Sequence, residues 1–488
     1  MNKYQTAAFQ ALDEALTFAD TLPRTELQNH QTLFFLDGPG GTGKTFLQNI
    51  LLAHVRKQGK IALAVASTGI AATLLEGGWT AHSRFRIPLK VYSDSTCNIS
   101  KRSDLAELLR HTKLILWDEA VMTKSDTFDA VNHTLRDIVD CDNVPFRGII
   151  ICFCGDFRQT LPVIPNASRA EVISTCLKRS RLWPYIQVLK LMENMRLRSP
   201  ALSERDRECN RMFAKRLLAV GESTGADDTI DWPVEHVVKD NSLQSLADHV
   251  YNSLDECIHP ASYFNERAIL AVRNDVVNNL NTQLLQRVPG ETVELLSTDT
   301  VVDDADATEC PIEVLNEISD PGLPPHKLTL KVGCPVMLLR NLAPRRGLCN
   351  GTRLLVKSIS KHVLFCTYVD LSRAGPEAPA DGVILLPRIC CRSAENTSFV
   401  DFDRKQFPVR VCFAMTINKS QGQSLKRVGI YLNPGVFSHG QLYVALSRTR
   451  NPDNLWIADD DTGEGTDDSD RTLLNGRIKN IVYDEVFS

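Results

Sequence analysis

The residues whose spacing is most specific for chemistry form the segment GPGGTGKT at positions 38–45, which follows the apolar run LFFL and precedes a helical pattern. Glycines let successive backbone N–H groups converge on phosphate oxygens, and the start of a helix adds the positive end of its dipole. A lysine at the end of such a loop reaches the β- and γ-phosphates of a nucleotide, and the next hydroxyl binds Mg²⁺. The predicted ATP-binding loop is Gly38, Pro39, Gly40, Gly41, Thr42, Gly43, Lys44 and Thr45.

Two further apolar runs end in residues that suit nucleotide hydrolysis. LILWDEA places Asp118 and Glu119 after a predicted strand, where Asp118 would hold Mg²⁺ and Glu119 would polarise the attacking water. An acid pair alone is more often a helix N-cap, but the upstream phosphate loop favours hydrolysis. IIICFCGDFRQ places Asp156 and Gln159 after another strand, and Gln159 has the chemistry to sense the γ-phosphate.

Two arginines are candidates to stabilise charge that develops on the γ-phosphate. Arg448 follows the apolar helical segment YVALS, in a region that has no phosphate loop of its own. Arg196, in ENMRL, is the second candidate. A single arginine is usually solvated or paired with an acid, so spacing alone leaves both roles open.

The apolar pattern predicts an α/β fold. Short continuous apolar runs between helical patterns are typical of parallel sheets buried on both faces. Four such runs follow an amphipathic helix and predict a first domain over residues 1–200, and a second pattern covers 266–330 and 401–488. Turn-separated β segments at 331–400 predict an inserted small barrel, and 201–265 would be a helical or irregular linking segment. The acidic, proline-rich stretch 300–326 is predicted to be an exposed loop.

Composition limits the class of protein. The 488 residues are 43% hydrophobic and 23% charged, which excludes global disorder, and no apolar run is long enough to span a membrane. The first residues resemble neither a signal nor a transit peptide, so the protein is not expected to be secreted. Its expected location is the nucleus, with the cytoplasm or the mitochondrion as alternatives. Net charge is −4, but without the seven acids between Asp459 and Asp470 it would be +3. The fourteen cysteines lack a CxxC pair and are expected to be small buried residues in a reducing compartment.

Taken together, the motifs resemble a superfamily-one DNA helicase of the Pif-one (petite integration frequency) family, and most closely the helicase portion of Helitron transposons. The resembling stretches run in family order across nearly the whole chain: MNKYQTAAFQ, GPGGTGKTFL, ASTGIAATLLEGGWTAHSRFRIP, LILWDEAVM, CGDFRQTLPVIP, ENMRL, LKVGCPVMLLRNL, FPVRVCFAMTINKSQGQSL and GQLYVALSRT.

The resemblance implies two RecA-like domains with ATP between them, a wedge region near residues 85–103 and an SH3-like barrel in the second domain. It implies 5′-to-3′ movement of a monomer on single-stranded DNA and unwinding of forked or tailed duplexes, with roles in replication, recombination, repair and telomere maintenance. Gln5 would read adenine, Gly422 would join the ATP site, and Arg196 and Arg448 would reach across the cleft. The implied DNA-tracking residues are Thr68, Gly69, His82, Ser83, Lys419, Ser420 and Gln421.

Two residues depart from the family pattern, and several functions stay open. Trp79 stands where a basic residue is usual, which puts a DNA contact there in doubt, and Val121 replaces a proline. No two histidines have the His-x-His spacing of the Helitron nuclease, so a stand-alone helicase, a fragment or a domesticated copy is expected. The alternatives are a translocase that strips bound proteins but unwinds poorly, and a relic that binds DNA without turnover. A small-molecule kinase is poorly supported because it would not need the paired acids.

Overall fold

The computed structural model divides the chain into two compact units. The first consists of residues 1–230, 437–447 and 479–488, and the second of 231–436 and 448–478. The structure describes all residues except 23–25, 28–29, 139–143, 199–202, 224–227, 239, 303–310, 321, 393–399, 460–475 and 488. Apart from Asp459, the predicted acidic segment therefore lies outside the described residues.

The helices and strands are numbered here in chain order. The helices are α1 (Lys3–Thr21), α2 (Lys44–Lys57), α3 (Gly69–Leu74), α4 (Ala81–Phe85), α5 (Asp104–His111), α6 (Ser125–Ile138), α7 (Arg169–Ser174), α8 (Glu204–Glu222), α9 (Leu243–Val250), α10 (Ala261–Asn265), α11 (Asn274–Arg287), α12 (Ile312–Glu317) and α13 (Gln441–Leu446). The strands are β1 (Leu33–Asp37), β2 (Ile61–Ala66), β3 (Trp79–Thr80), β4 (Thr112–Asp118), β5 (Ile150–Gly155), β6 (Ile186–Lys190), β7 (Thr229–Asp231), β8 (Arg267–Ala271), β9 (Val293–Leu296), β10 (Thr298–Val301), β11 (Lys327–Leu330), β12 (Pro335–Leu338), β13 (Arg353–Ile359), β14 (Val363–Tyr368), β15 (Val383–Pro387), β16 (Ile389–Arg392), β17 (Phe402–Gln406), β18 (Val409–Val411), β19 (Ala414–Thr416), β20 (Arg427–Tyr431), β21 (Leu455–Ala458) and β22 (Arg477–Lys479).

The first unit is built on a parallel sheet with the order β3-β2-β4-β5-β1-β6. The four apolar runs that the sequence predicted are β1, β2, β4 and β5, and they are buried almost throughout. In register, Asp37 lies opposite Gly155, and Ala66 lies opposite Asp118. The loops after all four strands therefore leave the sheet at one edge, which is where ligands bind in open parallel sheets.

Helices α1 and α2 cover the face of this sheet that supports the phosphate loop. Asn2 and Gln5 form a capping box that starts α1, because each side chain accepts a hydrogen bond from the other residue's backbone N–H. Leu12 and Leu16 of α1 and Leu51 of α2 join the core with strand residues such as Phe34. The predicted opening helix is confirmed.

The second unit combines parallel and antiparallel sheets. Its parallel sheet has the order β19-β8-β20-β21, and an antiparallel sheet has the order β15-β14-β13-β12-β18. The predicted α/β class with a small antiparallel β domain is confirmed. The run VRVCFAMT does not form one strand, because the chain leaves the antiparallel sheet after Val411 and enters the parallel sheet at Ala414.

The prediction of an exposed loop over residues 300–326 is wrong in the described part of that stretch. Helix α12 lies there, and Leu315 and Leu323 are buried in a small cluster with Phe402. The Arg404 guanidinium is buried, pairs with Asp299 at 2.7 Å and donates to the Leu315 carbonyl at 2.7 Å. One arginine thus supplies hydrogen bonds that hold this acidic, proline-rich segment against the rest of the unit through a few buried residues.

The cysteines match their sequence interpretation in large part. Those in the described residues are all free, and most of them, including Cys152 and Cys154 of β5, are buried. Cys390 on β16 is exposed instead, because that strand turns alternate residues outward. Among the described helices, none is long and apolar enough to cross a membrane.

Candidate functional site

The phosphate loop connects β1 to α2 and is closed against neighbouring side chains. Gly43 has φ +83° and precedes the first residue of α2, while Gly41 has φ +94°. A Cβ atom at Gly41 would lie 2.6 Å from Asn194 Oδ1, and one at Gly43 would lie 2.5 Å from Gln5 Nε2. Both positions therefore require glycine for conformation and for space.

Gln5 is bound directly to the phosphate loop. Its side chain is 1% exposed, and Nε2 donates to the Thr42 carbonyl at 3.0 Å. Its Oε1 accepts the Asn2 backbone N–H at 3.0 Å. An amide oxygen and an amide nitrogen each have capacity for a second hydrogen bond, so this geometry suits base recognition beside the loop.

Lys44 and Thr45 begin α2. The Lys44 ammonium donates to the Gly38 carbonyl and lies 3.5 Å from the Pro39 carbonyl oxygen, so its charge is held over the loop. The positive charge of Lys44 also acts on Asp118, where it opposes the effect of burial on the carboxyl pKa. The loop, its lysine and the acid at the end of β4 therefore share one electrostatic environment.

The two acids at the end of β4 differ in backbone conformation and in their hydrogen bonds. Asp118 is buried, which raises its pKa, and its Oδ1 accepts Gln48 Nε2 at 3.0 Å. Glu119 adopts the left-handed conformation with φ +49°, which strains a residue that has a Cβ. The Ser67 hydroxyl donates to the Glu119 carbonyl at 2.7 Å and helps to fix that turn.

The loop after β5 carries Gln159. Gln159 is buried, and its N–H donates to the Asp156 carbonyl at 3.0 Å. Asp156 is 0% exposed and accepts Arg158 Nη1 at 3.0 Å and the Tyr443 hydroxyl at 2.7 Å. Burial and the neighbouring Asp156 raise the pKa of Asp37, the last residue of β1.

Arg196 approaches the phosphate loop from within the same unit. The Met195 N–H donates to the Gly41 carbonyl at 2.9 Å, which pins residues 195–198 to the loop. A Cβ on Gly41 would lie 3.0 Å from Arg196 Cδ and 3.2 Å from its Nε. The structure thus brings Arg196 together with the predicted ATP-binding residues.

Four of the predicted DNA-tracking residues lie at the same end of the first unit, after β2 and β3. Thr68 caps α3, with Gly69 as its first residue, and His82 and Ser83 lie in α4. Thr68 and His82 line a cavity of about 530 Å³ together with Lys90, Tyr92 and Lys124. Lys90 and Tyr92 belong to the predicted wedge stretch, which has no helix or strand between residues 86 and 103.

The ring of Trp79, which stands where a basic residue is usual, packs against an arginine. The Arg84 guanidinium lies over its ring, 4.7 Å from the centroid, which is the geometry of a cation–π contact. The side chain is half-buried at the start of β3. The departure from a basic residue at this position therefore leaves a packed aromatic residue beside an arginine.

The remaining predicted residues form a second group, in the second unit. Arg448 is buried, and its Nη1 donates to the Ser420 carbonyl at 3.3 Å and to the Gln423 carbonyl at 3.1 Å. Burial lowers the pKa of Lys419. Gly422 has φ +73° in the turn that follows Gln421.

Ser420 lies at the centre of this group with its hydroxyl turned inward. The side chain is fully buried and donates to the Ile417 carbonyl at 2.6 Å. A buried hydroxyl that donates to its own loop stabilises the turn. Because Arg448 donates to the carbonyls of Ser420 and Gln423, it also holds the loop that contains Lys419 and Gln421.

Three supporting residues were missed by the sequence interpretation. Gln48 lies one helical turn after Lys44, a spacing that could have indicated a side chain directed at the same site. Ser67 precedes Thr68 at the end of β2, at the same sheet edge as the acid pair. Tyr443 had no local signal, because its partner Asp156 is 287 positions away.

Family models match successive parts of the chain. A PIF1-like helicase model matches residues 14–230, which include the phosphate loop, the acid pair and Gln159. A model of the 2B domain of the DNA helicase Pif1 matches 313–359, and a helicase model matches 393–465. The chain is thus similar to Pif1-like helicases over these successive stretches. The closer kinship to Helitron helicases stays a prediction.

Individual Pif1 proteins are also similar to this chain in sequence. The ATP-dependent DNA helicase PIF1 of Xenopus laevis is 27% identical over 440 residues, which are 88% of this chain and 59% of the frog protein. The chain thus spans about 59% of the length of the first curated relatives that it matches.

Two solved Pif1 structures share the fold. The crystal structure of Pif1 helicase from Candida albicans has a TM-score of 0.62 and 22% identity, and covers 97% of this chain and 98% of its own. The Bacteroides Pif1 helicase in complex with ADP-AlF3 and single-stranded DNA has a TM-score of 0.60 and 22% identity, with coverage of 94% and 100%. These similarities support RecA-like folds for the parallel-sheet regions of this chain.

Proposed function

We propose that this chain is an ATP-dependent DNA helicase that moves 5′-to-3′ along single-stranded DNA and unwinds duplexes. The observation that supports the proposal is the convergence of Lys44, Asp118 and Gln159 around one sheet edge, in a stretch of chain that matches a PIF1-like helicase model. The Xenopus relative is named an ATP-dependent DNA helicase, and the Bacteroides structure holds a nucleotide analogue with single-stranded DNA.

ATP hydrolysis would use the residues around the phosphate loop and also Arg448 of the second group. Backbone N–H groups of the phosphate loop and the Lys44 ammonium bind the phosphates, and Gln5 contacts the base. Glu119 accepts a proton from the attacking water, and Gln159 senses the γ-phosphate. Arg196 and Arg448 supply positive charge to the transferring phosphoryl group, a role that rests on the family resemblance.

Mg²⁺ is part of the proposal because the available donors suit it. The Thr45 hydroxyl and the Asp118 carboxylate are hard oxygen ligands, and Gln48 fixes the orientation of that carboxylate. A magnesium site of this kind takes one or two protein oxygens and completes its coordination with phosphates and water. When bound, the ion would neutralise charge on the phosphate oxygens.

Single-stranded DNA would lie along the cavity that contains Thr68 and His82. Lysines at 90 and 124 provide positive charge there, and the aromatic ring of Tyr92, which is 63% exposed, offers a stacking surface for a base. Lys419 and Gln421 would contact the strand from the second unit. We further propose action as a monomer on forked or tailed DNA, in the nucleus of a eukaryotic cell, where such DNA is found.

The proposal is tested with two matched duplexes that carry either a 5′ or a 3′ single-stranded tail. With ATP and Mg²⁺, the protein should unwind the 5′-tailed duplex and leave the 3′-tailed duplex intact, and hydrolysis should rise strongly with single-stranded DNA. Lys44→Ala is the control for contaminating activity. Unwinding of the 3′-tailed duplex alone would contradict the proposed direction.

The alternative functions give different results in the same assay. A translocase would displace streptavidin from a biotinylated 5′-to-3′ track without separating the strands. A relic would bind single-stranded DNA without any hydrolysis above the Lys44→Ala background. Either pattern would replace the helicase proposal.

A further inference from the structure

The segment 437–447 packs onto the loop that carries Gln159, although the two lie far apart in sequence. His439 Nε2 donates to the Phe157 carbonyl at 2.7 Å, and His439 Nδ1 accepts the Tyr483 N–H at 2.9 Å. A Cβ on Gly440, which has φ +72°, would lie 2.4 Å from the Arg158 carbonyl oxygen. The segment therefore contacts the backbone of the loop itself, at a distance that only glycine allows.

Tyr443 in α13 makes a second buried polar contact from this segment. The ring is 3% exposed, and the hydroxyl donates to Asp156 Oδ2 at 2.7 Å. The other carboxylate oxygen, Oδ1, accepts Arg158 Nη1 at 3.0 Å, and Arg158 is paired in turn with Glu222. Asp156 is thus a fully buried acceptor whose two carboxylate oxygens bind different side-chain donors.

Asp156 in turn holds the loop of Gln159. The Gln159 N–H donates to the Asp156 carbonyl at 3.0 Å, and Gly155, the residue before Asp156, accepts the Gly38 N–H of the phosphate loop at 3.3 Å. Burial and Asp156 raise the pKa of Tyr443, so the phenol keeps its proton and donates it to Asp156. One side-chain hydroxyl therefore joins α13 to the start of the loop that carries Gln159.

We infer that Tyr443 is a positioning residue for ATP turnover, which fixes the Gln159 loop to the helix that leads into Arg448. The inference rests on the proposed function and deepens it. In the absence of the hydroxyl, Asp156 keeps its pairing with Arg158 but loses the contact that ties it to α13. Substrate would still bind, and the γ-phosphate sensor would be out of place.

The conservative variant Tyr443→Phe removes the hydroxyl and keeps the ring. We expect kcat for DNA-stimulated ATP hydrolysis to fall by about tenfold or more, the range for one hydrogen bond to a charged acceptor. KM for ATP and the affinity for single-stranded DNA should change by less than about threefold, because neither ligand contacts the phenol directly. A kcat within twofold of wild type, or a rise in KM with unchanged kcat, would overturn the inference.

A matched control separates positioning from simple loss of a buried hydrogen bond. Tyr251 in the second unit is also fully buried, and its hydroxyl donates to the Phe413 carbonyl. Tyr251→Phe should lower the melting temperature to a similar extent and leave kcat unchanged. Equal losses of kcat in the two variants would mean that the effect is structural.

Two further measurements keep the inference testable if Tyr443→Phe folds poorly or if the wild-type protein lacks activity. Asp156→Asn keeps the volume of the acid and removes its charge, so it should reduce kcat without adding to the effect of Tyr443→Phe in the double variant. Hydrogen exchange without nucleotide should be faster in Tyr443→Phe at the Gln159 N–H, which is bound to the Asp156 carbonyl. A protein without DNA-stimulated hydrolysis would contradict the proposed function, whereas unchanged exchange at Gln159 would contradict this inference.

Discussion

The phosphate loop allows a stability test that needs no nucleotide. Gly43 has a left-handed backbone, and a Cβ there would lie 2.5 Å from Gln5 Nε2. A Cβ on Gly40 would meet no atom within 4 Å, and its φ is outside the left-handed region. The same chemical change, Gly→Ala, is therefore predicted to destabilise the first unit at position 43 and to be tolerated at position 40.

The size of the effect at Gly43 follows from two contributions. A left-handed conformation costs an L-residue about 1–2 kcal/mol. The overlap moves the Gln5 amide away from the Thr42 carbonyl, a hydrogen bond worth about 1 kcal/mol. The free energy of unfolding should fall by about 2–3 kcal/mol, which for a unit of this size lowers Tm by about 4–12 °C. Gly40→Ala should stay within about 0.5 kcal/mol of wild type.

The measurement is thermal unfolding followed by circular dichroism in the absence of nucleotide. Hydrogen exchange at residues 2–6 locates the loss, because displacement of Gln5 also weakens the capping box of α1. Equal melting temperatures for Gly43→Ala and Gly40→Ala would refute the described loop geometry. So would a Gly43→Ala variant that melts earlier without faster exchange at Gln5.

Three further variants test the proposed chemistry. Lys44→Ala should abolish hydrolysis because it removes the side-chain cation of the phosphate loop, and retention of most turnover would show that this loop is not the catalytic one. Glu119→Gln should bind ATP and hold single-stranded DNA but stall before cleavage, since an amide accepts no proton; weaker ATP binding in a nucleotide titration would instead assign Glu119 a structural role. Arg448→Ala should lower DNA-stimulated hydrolysis by roughly 10²-fold or more with near-normal ATP affinity, and Arg448→Lys should restore little. A small fall in both turnover and Tm would indicate that Arg448 only organises the loop at Ser420.

The sheet and its polar edge could be predicted from the sequence for a simple physical reason. Continuous apolar runs identify parallel strands, and the carboxyl ends of such strands share one edge of a sheet. Lys44, Asp118 and Gln159 follow three of these runs, so their proximity needed no knowledge of distant contacts. The residue types at those ends then indicated phosphate chemistry.

The contacts that tune this edge could not be predicted in the same way. Tyr443 sits in an apolar helical run, and such a run shows that a helix is buried without showing against what. The burial of Arg404 reversed the prediction for residues 300–326, because one guanidinium satisfies carbonyl groups that the acids and prolines of the sequence had assigned to solvent. Whether a single polar group is buried depends on its hydrogen-bond partners, and the apolar periodicity of the sequence does not identify those partners.

The division of the first unit among three stretches of chain has a consequence for its synthesis. Tyr483 and Val486 belong to the same core cluster as Phe35 and Phe157, so residues 1–230 alone lack part of their own interior. A ribosome adding about 5–20 residues per second needs roughly 10–50 s to go from residue 230 to residue 487. During that interval the nascent phosphate-loop unit exposes the apolar surface that residues 479–488 later cover. It is then a substrate for chaperones, and a chain that stops early leaves an unfinished unit open to proteolysis.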